Sequence, residues 1–161
     1  MHNPQTGLLT RNEFIHQAGA LSSAGAGVLL LLDVDRLANL NFTSGFEVGD
    51  AYLQAAGRIV REEAGGLVGR WAGDEFIAFV EDASQADAIV ERIHARMRAG
   101  FFEQRARVVA EFPDLAGKPV LTFSIGASRA RPGSTVEQLA QESDQALTAA
   151  KKAGRRCLVW A

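Results

Sequence analysis

Cysteine is almost missing from this 161-residue sequence, in which Cys157 is the only one. A single thiol excludes an internal disulfide and a cysteine cluster for structural zinc, and it is typical of a reducing compartment, so we expect a cytoplasmic protein. The three histidines, at positions 2, 16 and 94, have no metal-ligand spacing and are predicted to lie at the surface.

The sequence also lacks an excess of charge of either sign and any long apolar run. Its 17 Lys and Arg residues stand against 19 Asp and Glu, a net charge of −2, so we expect no nucleic acid partner and no polybasic membrane-binding surface. The longest apolar run covers only 28–32, far short of the roughly 20 residues of a membrane-spanning helix. The N-terminus has no secretory signal pattern, so no direct membrane insertion is predicted, and any membrane anchor of the parent protein would lie outside this chain.

What is present is the composition of an ordinary folded domain. Hydrophobic residues make up 47% and charged residues 22% of the sequence, which argues against disorder and fibrous architectures. No internal repeat, low-complexity tract or long linker interrupts the chain. We therefore expect a single domain over 1–161.

Hydrophobic periodicity predicts helices and strands in a mixed order. The apolar run at 28–32 is typical of a strand buried on both faces, and the short segment 72–75 between two β-like runs indicates a hairpin in which Gly73 and Asp74 can take positive φ. The segment 33–45 is predicted to be a polar connection, and 100–118 fits either a longer helix or an insertion. The predicted helices cover 11–21, about 46–63, 86–97 and 139–150, and the predicted strands cover 28–32, 67–71, 76–80, 120–127 and 158–160.

The core order β-α-β-β-α-β is the split βαβ, or ferredoxin-like, arrangement, an α/β (α+β) fold with an antiparallel central sheet flanked by helices. Right-handed crossovers place the first strand antiparallel beside the third, so Asp33, Asp74 and Glu75 should share one edge of the sheet. Converging carboxylates repel one another unless a cation neutralises them, and oxygen-only ligands favour Mg²⁺ or Mn²⁺. Taken alone, each segment also fits a turn with solvated acids.

Six segments resemble the motifs of GGDEF domains, the diguanylate cyclase family, and together they cover nearly the whole chain. The signature appears as RWAGDEF, with Ala72 in place of the first glycine, and Phe46 takes the histidine position of a Gly-His-x-x-Gly-Asp motif. The matching segments are NPQTGL at 3–8, LDVD at 32–35, GFEVGD at 45–50, RWAGDEF at 70–76, TFSIG at 122–126 and the stretch 144–155. The chain is identified as a member of this family, with a variant AGDEF signature.

The resemblance implies a catalytic site at the carboxylates. The family condenses two GTP molecules to cyclic di-GMP and releases pyrophosphate, on a fold similar to nucleotidyl cyclase and polymerase palm domains. By this resemblance Asp33 and Asp74 are Mg²⁺ ligands with the Val34 carbonyl as a third, and Asp74 or Glu75 assists deprotonation of the attacking 3′-hydroxyl. Such phosphoryl transfer needs mainly positioning and charge neutralisation.

The resemblance also implies residues that bind the nucleotide. Asn41 and Asp50 occupy the guanine-binding positions, where an amide and a carboxylate suit the base's carbonyl and N–H groups. Lys151 and Arg155 match positions that neutralise phosphates. An alternative for Asp50 is an acid favoured near a helix start, and an alternative for the two cations is a helix C-terminus that needs no ligand.

Several positions depart from the family pattern. Ala38 falls where the family has a phosphate-binding lysine, and the loss of that charge-assisted contact is expected to cost roughly 1.5–3 kcal/mol of nucleotide affinity. Ala72 adds a methyl group where glycine allows the backbone to approach the phosphates. Further departures are Phe42 for an acid, Phe46 for histidine and Thr148 for tyrosine, and the family's inhibitory product site, Arg-x-x-Asp, is replaced by Glu63 and Gly66, so no product inhibition through that site is expected.

Three functions remain open from the sequence. The leading one is a Mg²⁺-dependent diguanylate cyclase domain that binds GTP and needs a homodimer for catalysis. The second is a degenerate GTP-binding domain that regulates an adjacent EAL phosphodiesterase domain. The third is a non-catalytic interaction module, which predicts no GTP binding. In each case we expect a fragment of a larger signalling protein, linked to a sensory or EAL domain outside this chain.

Overall fold

Five strands and the helices around them make up the fold, in the computed structural model that describes residues 8–99, 106, 109–113 and 121–161. A 3₁₀ turn at Ala83–Gln85 precedes the fourth helix. The strands are β1 (Val28–Val34), β2 (Leu67–Ala72), β3 (Glu75–Val80), β4 (Phe123–Arg129) and β5 (Leu158–Trp160). The helices are α1 (Arg11–Ser23), α2 (Leu37–Ser44), α3 (Phe46–Ala64), α4 (Ala86–Arg98) and α5 (Val136–Lys152).

The strands form one sheet in the order β2-β3-β1-β4-β5. β1 pairs antiparallel with both β3 and β4, and the short β5 adds parallel to β4. The predicted ferredoxin-like order and the antiparallel pairing of the first and third strands are confirmed. Because β1 is central, its C-terminal end lies between the start of β3 and the start of β4.

Burial on both faces explains why β1 is a continuous apolar run. All seven of its residues are buried, and alternate side chains point to opposite faces of the sheet. Leu30 and Leu32 pack into a core with α3 and α4, whereas Leu29 and Leu31 pack into a second core with α1 and α5. Two helical layers therefore cover the sheet, and Asp33, next to the C-terminal end of β1, is the one polar residue of this strand.

The structure corrects the prediction for the segment 33–45, because α2 lies within it. The helix begins after Arg36, which has φ 60 and provides no side-chain cap, and it buries only Leu37 and Leu40. An uncapped eight-residue helix with two buried apolar residues gives almost no periodic signal. The missed helix carries Asn41, so it helps to build the site.

The hairpin between β2 and β3 is confirmed, but its backbone differs from the prediction. Neither Gly73 nor Asp74 has positive φ. Instead, the register shifts between Arg70 and Ala72. Such a bulge increases the local twist of the strands, which in many hairpins is matched by a turn with positive φ. The fourth strand was predicted from 120, but β4 starts at Phe123. Position 120 lies outside the described residues, and so does most of the segment 100–118, for which a longer helix or an insertion was predicted.

No helix in the described ranges is long and apolar enough to cross a membrane.

His94 is half-buried on α4, with its Nε2 atom enclosed and without a hydrogen-bond partner among the described residues, which corrects the prediction of a surface residue. Burial lowers its pKa, and the positive charge of Arg98 acts in the same direction. The backbone of Phe123 and the carboxylates of Glu91 and Asp35 oppose this shift. The net lowering means that the fold favours the neutral imidazole.

Acidification should therefore destabilise the wild-type fold through His94. A lowered pKa in the folded state contributes to the free energy of unfolding. This contribution is complete above the unfolded-state pKa, near 6.5, and is lost as the pH falls toward the folded-state pKa. Its size is about 1.4 kcal/mol for each unit by which the two pKa values differ. Urea unfolding of wild type and His94→Gln at pH 7.5 and 5.5 measures this, with a smaller loss expected for the variant. His16→Gln, on the exposed side of α1, serves as the control. Equal losses in wild type and His94→Gln would contradict the assignment.

Candidate functional site

Three predicted carboxylates meet where β1 ends. Asp33 is the register partner of Glu75 in the β1–β3 ladder. The next residue, Val34, donates its N–H to the Asp74 carbonyl oxygen at 3.3 Å, which ties the end of β1 to the hairpin turn. Residues about 40 positions apart thus share one sheet edge, as the topology predicted.

Asp33 is the most constrained of these acids, with 6% of its surface exposed. Its Oδ2 pairs with Lys151 Nζ, and its Oδ1 is buried with no hydrogen-bond partner among the described residues. Burial raises the pKa of Asp33 to about 6; the negative charges of Asp74 and Glu75 add to this rise, and the Lys151 ammonium opposes it. Burial and the neighbouring acids therefore disfavour the charged form of Asp33, and its Oδ1 is left without a hydrogen-bond partner among the described residues.

Glu75 and Lys151 complete this cluster. Burial raises the pKa of the Glu75 carboxyl, and nearby Asp144 and Asp74 raise it further. For Lys151, burial lowers the pKa, but the hydrogen bond to Asp33 and the surrounding carboxylates outweigh it, so the net pKa is raised. The ammonium of Lys151 is therefore one cation that offsets the converging acids.

A divalent cation at the same acids would need further oxygen ligands from waters or from a bound phosphate. Within the part of the chain that the structure describes, no three His, Cys, Asp or Glu side chains are grouped so that they could hold a metal by themselves. Mg²⁺ commonly binds through one or two carboxylates together with waters and substrate phosphates. The unused Oδ1 of Asp33 suits that mode, and the oxygen-only donor set suits Mg²⁺ or Mn²⁺.

Asn41 on α2 packs directly against α3 at Gly49. Its Oδ1 is enclosed and without a hydrogen-bond partner among the described residues. A Cβ built on Gly49 would overlap Asn41 Oδ1 and lie 2.8 Å from its Cγ, so only glycine leaves room for the amide there. Asp50 follows Gly49 on α3 and is half-buried. The two predicted guanine-binding residues are thus brought together by the contact between α2 and α3.

Gly49→Ala should displace the Asn41 amide without unfolding the chain. The clash falls on the end of a rotatable side chain, so we expect a stability change below about 1 kcal/mol and a loss of GTP affinity of about tenfold or more, equivalent to one lost hydrogen-bonding group. Calorimetric titration with GTP and thermal melting measure the two effects. Gly19→Ala on α1, where a Cβ meets nothing within 4 Å, is the matched control. Unchanged affinity in Gly49→Ala would contradict the role of this contact.

Arg70 links the two halves of the site and was missed by sequence reasoning as a functional residue. Its Nε donates to the carbonyl oxygens of Gly73, at 2.8 Å, and Ala72, at 3.3 Å, so it braces the hairpin turn. Burial lowers the pKa of Arg70, while the charges of Asp50 and Asp74 act to raise it. The guanidinium of Arg70 therefore lies in the field of both the Asp50 carboxylate on α3 and the Asp74 carboxylate in the hairpin.

Arg155 follows α5, in the turn that leads to β5. The C-cap of α5 is Ala153, and Gly154, with φ 110, follows it. The Arg155 N–H donates to the Ala150 carbonyl oxygen at 3.0 Å. Together with Asp35 and Arg36, Arg155 lines a cavity of about 380 Å³. Of the two predicted phosphate-binding residues, Lys151 thus contacts the carboxylate cluster and Arg155 faces this cavity.

Asp35 differs sharply from Asp33, two residues before it. Its carboxylate is buried and accepts hydrogen bonds from Thr122 Oγ1 at 2.6 Å, Ser124 Oγ at 2.5 Å and the Arg156 N–H at 3.3 Å. Asp35 is therefore satisfied by its own fold and holds the α5–β5 turn against β1. The resemblance to the family assigned a ligand role to Asp33 and none to Asp35, but it did not predict these hydrogen bonds.

The departures from the family pattern lie at the surface of the site. Phe42 and Phe46 are 93% and 75% exposed, and Ala38 and Ala72 are exposed as well. None of these side chains is packed into the core, so they change the rim of the site and leave its framework intact.

Residues 1–157 match the family described as diguanylate cyclase, GGDEF domain. This chain is a GGDEF domain of the diguanylate cyclase family. It is 31% identical over 161 residues to diguanylate cyclase DgcM of Escherichia coli strain K12, an alignment that covers 96% of this chain and 37% of DgcM. It is 33% identical over 135 residues to the response regulator PleD of Caulobacter vibrioides, covering 81% of this chain and 28% of PleD. This GGDEF domain spans about a third of the length of these relatives.

Solved structures of GGDEF domains share its fold. Diguanylate cyclase SiaD of Pseudomonas aeruginosa, crystallised with its activator SiaC, superposes with a TM-score of 0.80 at 29% identity and covers 99% of this chain and 61% of SiaD. The GGDEF domain of DgcB from Caulobacter crescentus, crystallised with cyclic di-GMP, gives a TM-score of 0.80 at 22% identity and covers 99% of this chain and 94% of that one. The mixed α/β sheet flanked by helices is therefore the architecture of this family.

Proposed function

We propose that this GGDEF domain is a diguanylate cyclase domain that condenses two GTP molecules to cyclic di-GMP with release of pyrophosphate. Family membership supports the reaction class. The observation that carries the proposal for this chain is the carboxylate cluster: Asp33, Asp74 and Glu75 share one sheet edge, and Asp33 keeps one buried oxygen unpartnered.

The nucleotide would lie across the sheet edge between two groups of residues. Asn41 and Asp50 would hydrogen-bond the guanine, because an amide oxygen accepts from its N–H groups and a carboxylate accepts from N1 and N2. Lys151 and Arg155 would neutralise the phosphates. In this arrangement Lys151 exchanges the Asp33 carboxylate for a phosphate oxygen when GTP binds.

Asp33, Asp74 and the Val34 carbonyl would hold Mg²⁺, which when bound supplies charge neutralisation and alignment of the phosphates. The carboxylate of Asp74 or Glu75 would accept the proton of the attacking 3′-hydroxyl. Each active half-site holds one GTP, so catalysis requires two domains face to face. We place the domain over 1–161 in the cytoplasm, linked to a sensory or EAL domain elsewhere in a longer protein.

Product feedback through the Arg-x-x-Asp position is not part of the proposal. Glu63 occupies that site and forms ion pairs with Arg92 at 2.8 Å and Arg96 at 3.2 Å. These contacts join α3 to α4, which gives Glu63 a structural use.

A regulatory GTP-binding domain is the second candidate, favoured by two observations. The Lys151 ammonium already neutralises Asp33, and Ala38 leaves the start of α2 without a lysine. A domain that binds GTP through Asn41 and Asp50 without turnover, and so controls an EAL domain, fits those two features.

Titration with GTP and Mg²⁺ separates these functions from a pure interaction module. The cyclase and the regulatory domain both predict GTP binding that weakens in Asn41→Ala and Asp50→Ala and is not shared by ATP. Arg58→Ala, an exposed change on α3, is the control. No GTP binding by a folded wild type would favour the interaction module and overturn both.

A further inference from the structure

Three arginines with left-handed backbone surround one cavity. Arg36, Arg155 and Arg156 have φ values of 60, 66 and 55, and among the described residues they are the only non-glycine residues with positive φ. All three line the 380 Å³ cavity between α2 and the α5–β5 turn. Non-glycine residues hold such conformations only where the surroundings enforce them, and they concentrate at functional sites.

The buried Asp35 carboxylate enforces part of this geometry. It accepts the Arg156 N–H at 3.3 Å while the Thr122 and Ser124 hydroxyls bind the same carboxylate. The one acid in the cavity wall is thus occupied by hydroxyl and backbone donors, and it forms no salt bridge with the arginines beside it.

Arg36, Arg155 and Arg156 are exposed, and none of their guanidinium groups forms a salt bridge with a carboxylate of the described residues. In the described part of the chain, the salt bridges involve Arg92, Arg96, Arg131 and Lys151. Helix-dipole effects favour cations near the end of α5, but Arg36 stands at the start of α2, where a cation is unfavourable. Local structure therefore does not account for the cluster, whereas a multiply charged anion would.

We propose that this cavity binds a pyrophosphate group, with Arg36 and Arg156 acting beside Arg155 as its guanidinium donors. Arginine forms paired, charge-assisted hydrogen bonds with phosphate oxygens. The inference rests on the proposed function, in which the group is the terminal part of GTP and then the released pyrophosphate. Arg36 would then neutralise phosphate charge in place of the family's lysine, which is Ala38 in this chain.

The test is calorimetric titration with inorganic pyrophosphate in EDTA, so that no divalent cation can draw the ligand to the Asp33 carboxylate. Arg36→Asn and Arg156→Asn are the variants, because asparagine tolerates left-handed backbone. Each should weaken pyrophosphate binding by at least about tenfold, and the double variant more. Arg58→Ala should bind as the wild type does. The melting temperatures of the two variants should equal or exceed that of the wild type. If the arginines had a structural role, the variants would melt at a lower temperature.

GTP and GMP titrations identify the source of the pyrophosphate group. Weakened GTP binding with unchanged GMP binding in the two variants places the nucleotide's own phosphates in the cavity. Weakened binding of pyrophosphate but not of GTP would restrict the site to the free anion, and this would overturn the role in substrate binding. Wild-type pyrophosphate affinity in both variants would overturn the proposal entirely.

The outcomes separate this inference from the cyclase proposal. Arginine-dependent pyrophosphate binding without any cyclic di-GMP formation leaves the anion site standing and removes the cyclase function. If instead Arg36→Asn and Arg156→Asn change neither cyclic di-GMP formation nor pyrophosphate affinity, the cyclase function stands and the anion site is removed.

Discussion

Replacing Gly126 with alanine is expected to lower the free energy of unfolding by about 3 kcal/mol or more. Gly126 lies in β4, and a Cβ there would overlap the Ser143 carbonyl oxygen and lie 2.6 Å from the Leu147 backbone nitrogen. Both atoms belong to the backbone of α5, so no side-chain rotation can relieve the clash. The helix must move away from the sheet, and it carries Lys151 with it.

Urea or thermal unfolding measures the effect. A loss of this size is a large share of the 5–15 kcal/mol by which domains are stable. Gly19→Ala provides the contrast, because a Cβ meets nothing within 4 Å in α1 and alanine is the better helix former by about 1 kcal/mol. A Gly126→Ala protein as stable as the wild type would show that β4 and α5 are not packed as closely as described.

Replacing Asp33 with asparagine is expected to reduce cyclic di-GMP formation by about 10³-fold while the domain remains folded. The amide keeps the shape of the side chain but removes the charge on which a divalent cation and Lys151 depend. Little stability should be lost, because the carboxylate is buried with one unpartnered oxygen and the partly exposed Lys151 can be solvated instead.

Asp35→Asn is the matched variant and should show the opposite pattern. Its carboxylate accepts three hydrogen bonds within the fold, so we expect a stability loss of about 1–3 kcal/mol. Melting curves and product chromatography on both variants separate the two roles. If Asp33→Asn destabilised the fold more than Asp35→Asn and kept its turnover, the functional assignment of the two acids would be reversed.

The sequence was sufficient for the framework because the framework depends on apolar patterning. The run at 28–32 and the alternating hairpin strands predicted β1, β2 and β3, and the handedness of the crossovers then placed Asp33 beside Glu75. That juxtaposition follows from the connectivity of the strands alone.

The features that the sequence did not predict depend on single contacts between distant residues. α2 was missed because tertiary packing of Leu37 and Leu40 replaces a cap and a periodic face. The contacts of the two acids were also missed, namely that of Asp33 with Lys151 and those of Asp35 with Thr122 and Ser124. These partners are separated from the two acids by about ninety residues or more.

The backbone conformation of the arginines was equally hidden. Positive φ is expected at glycine, and nothing in the composition of the α5–β5 turn predicts it at Arg155 and Arg156. The Arg156 N–H donates to the buried Asp35 carboxylate, and this contact, which helps to hold the turn, exists only once β1 and α5 are packed together.

The most direct test of the cyclase function is product formation by an enforced dimer of this domain. The chain fused to a dimerising coiled coil is incubated with GTP and Mg²⁺, and cyclic di-GMP and pyrophosphate are measured by chromatography, with the Asp74→Ala dimer as control. The wild-type dimer is expected to form both products and the variant neither. A folded wild-type dimer that binds GTP but forms no cyclic di-GMP would contradict the proposed catalysis and favour the regulatory domain.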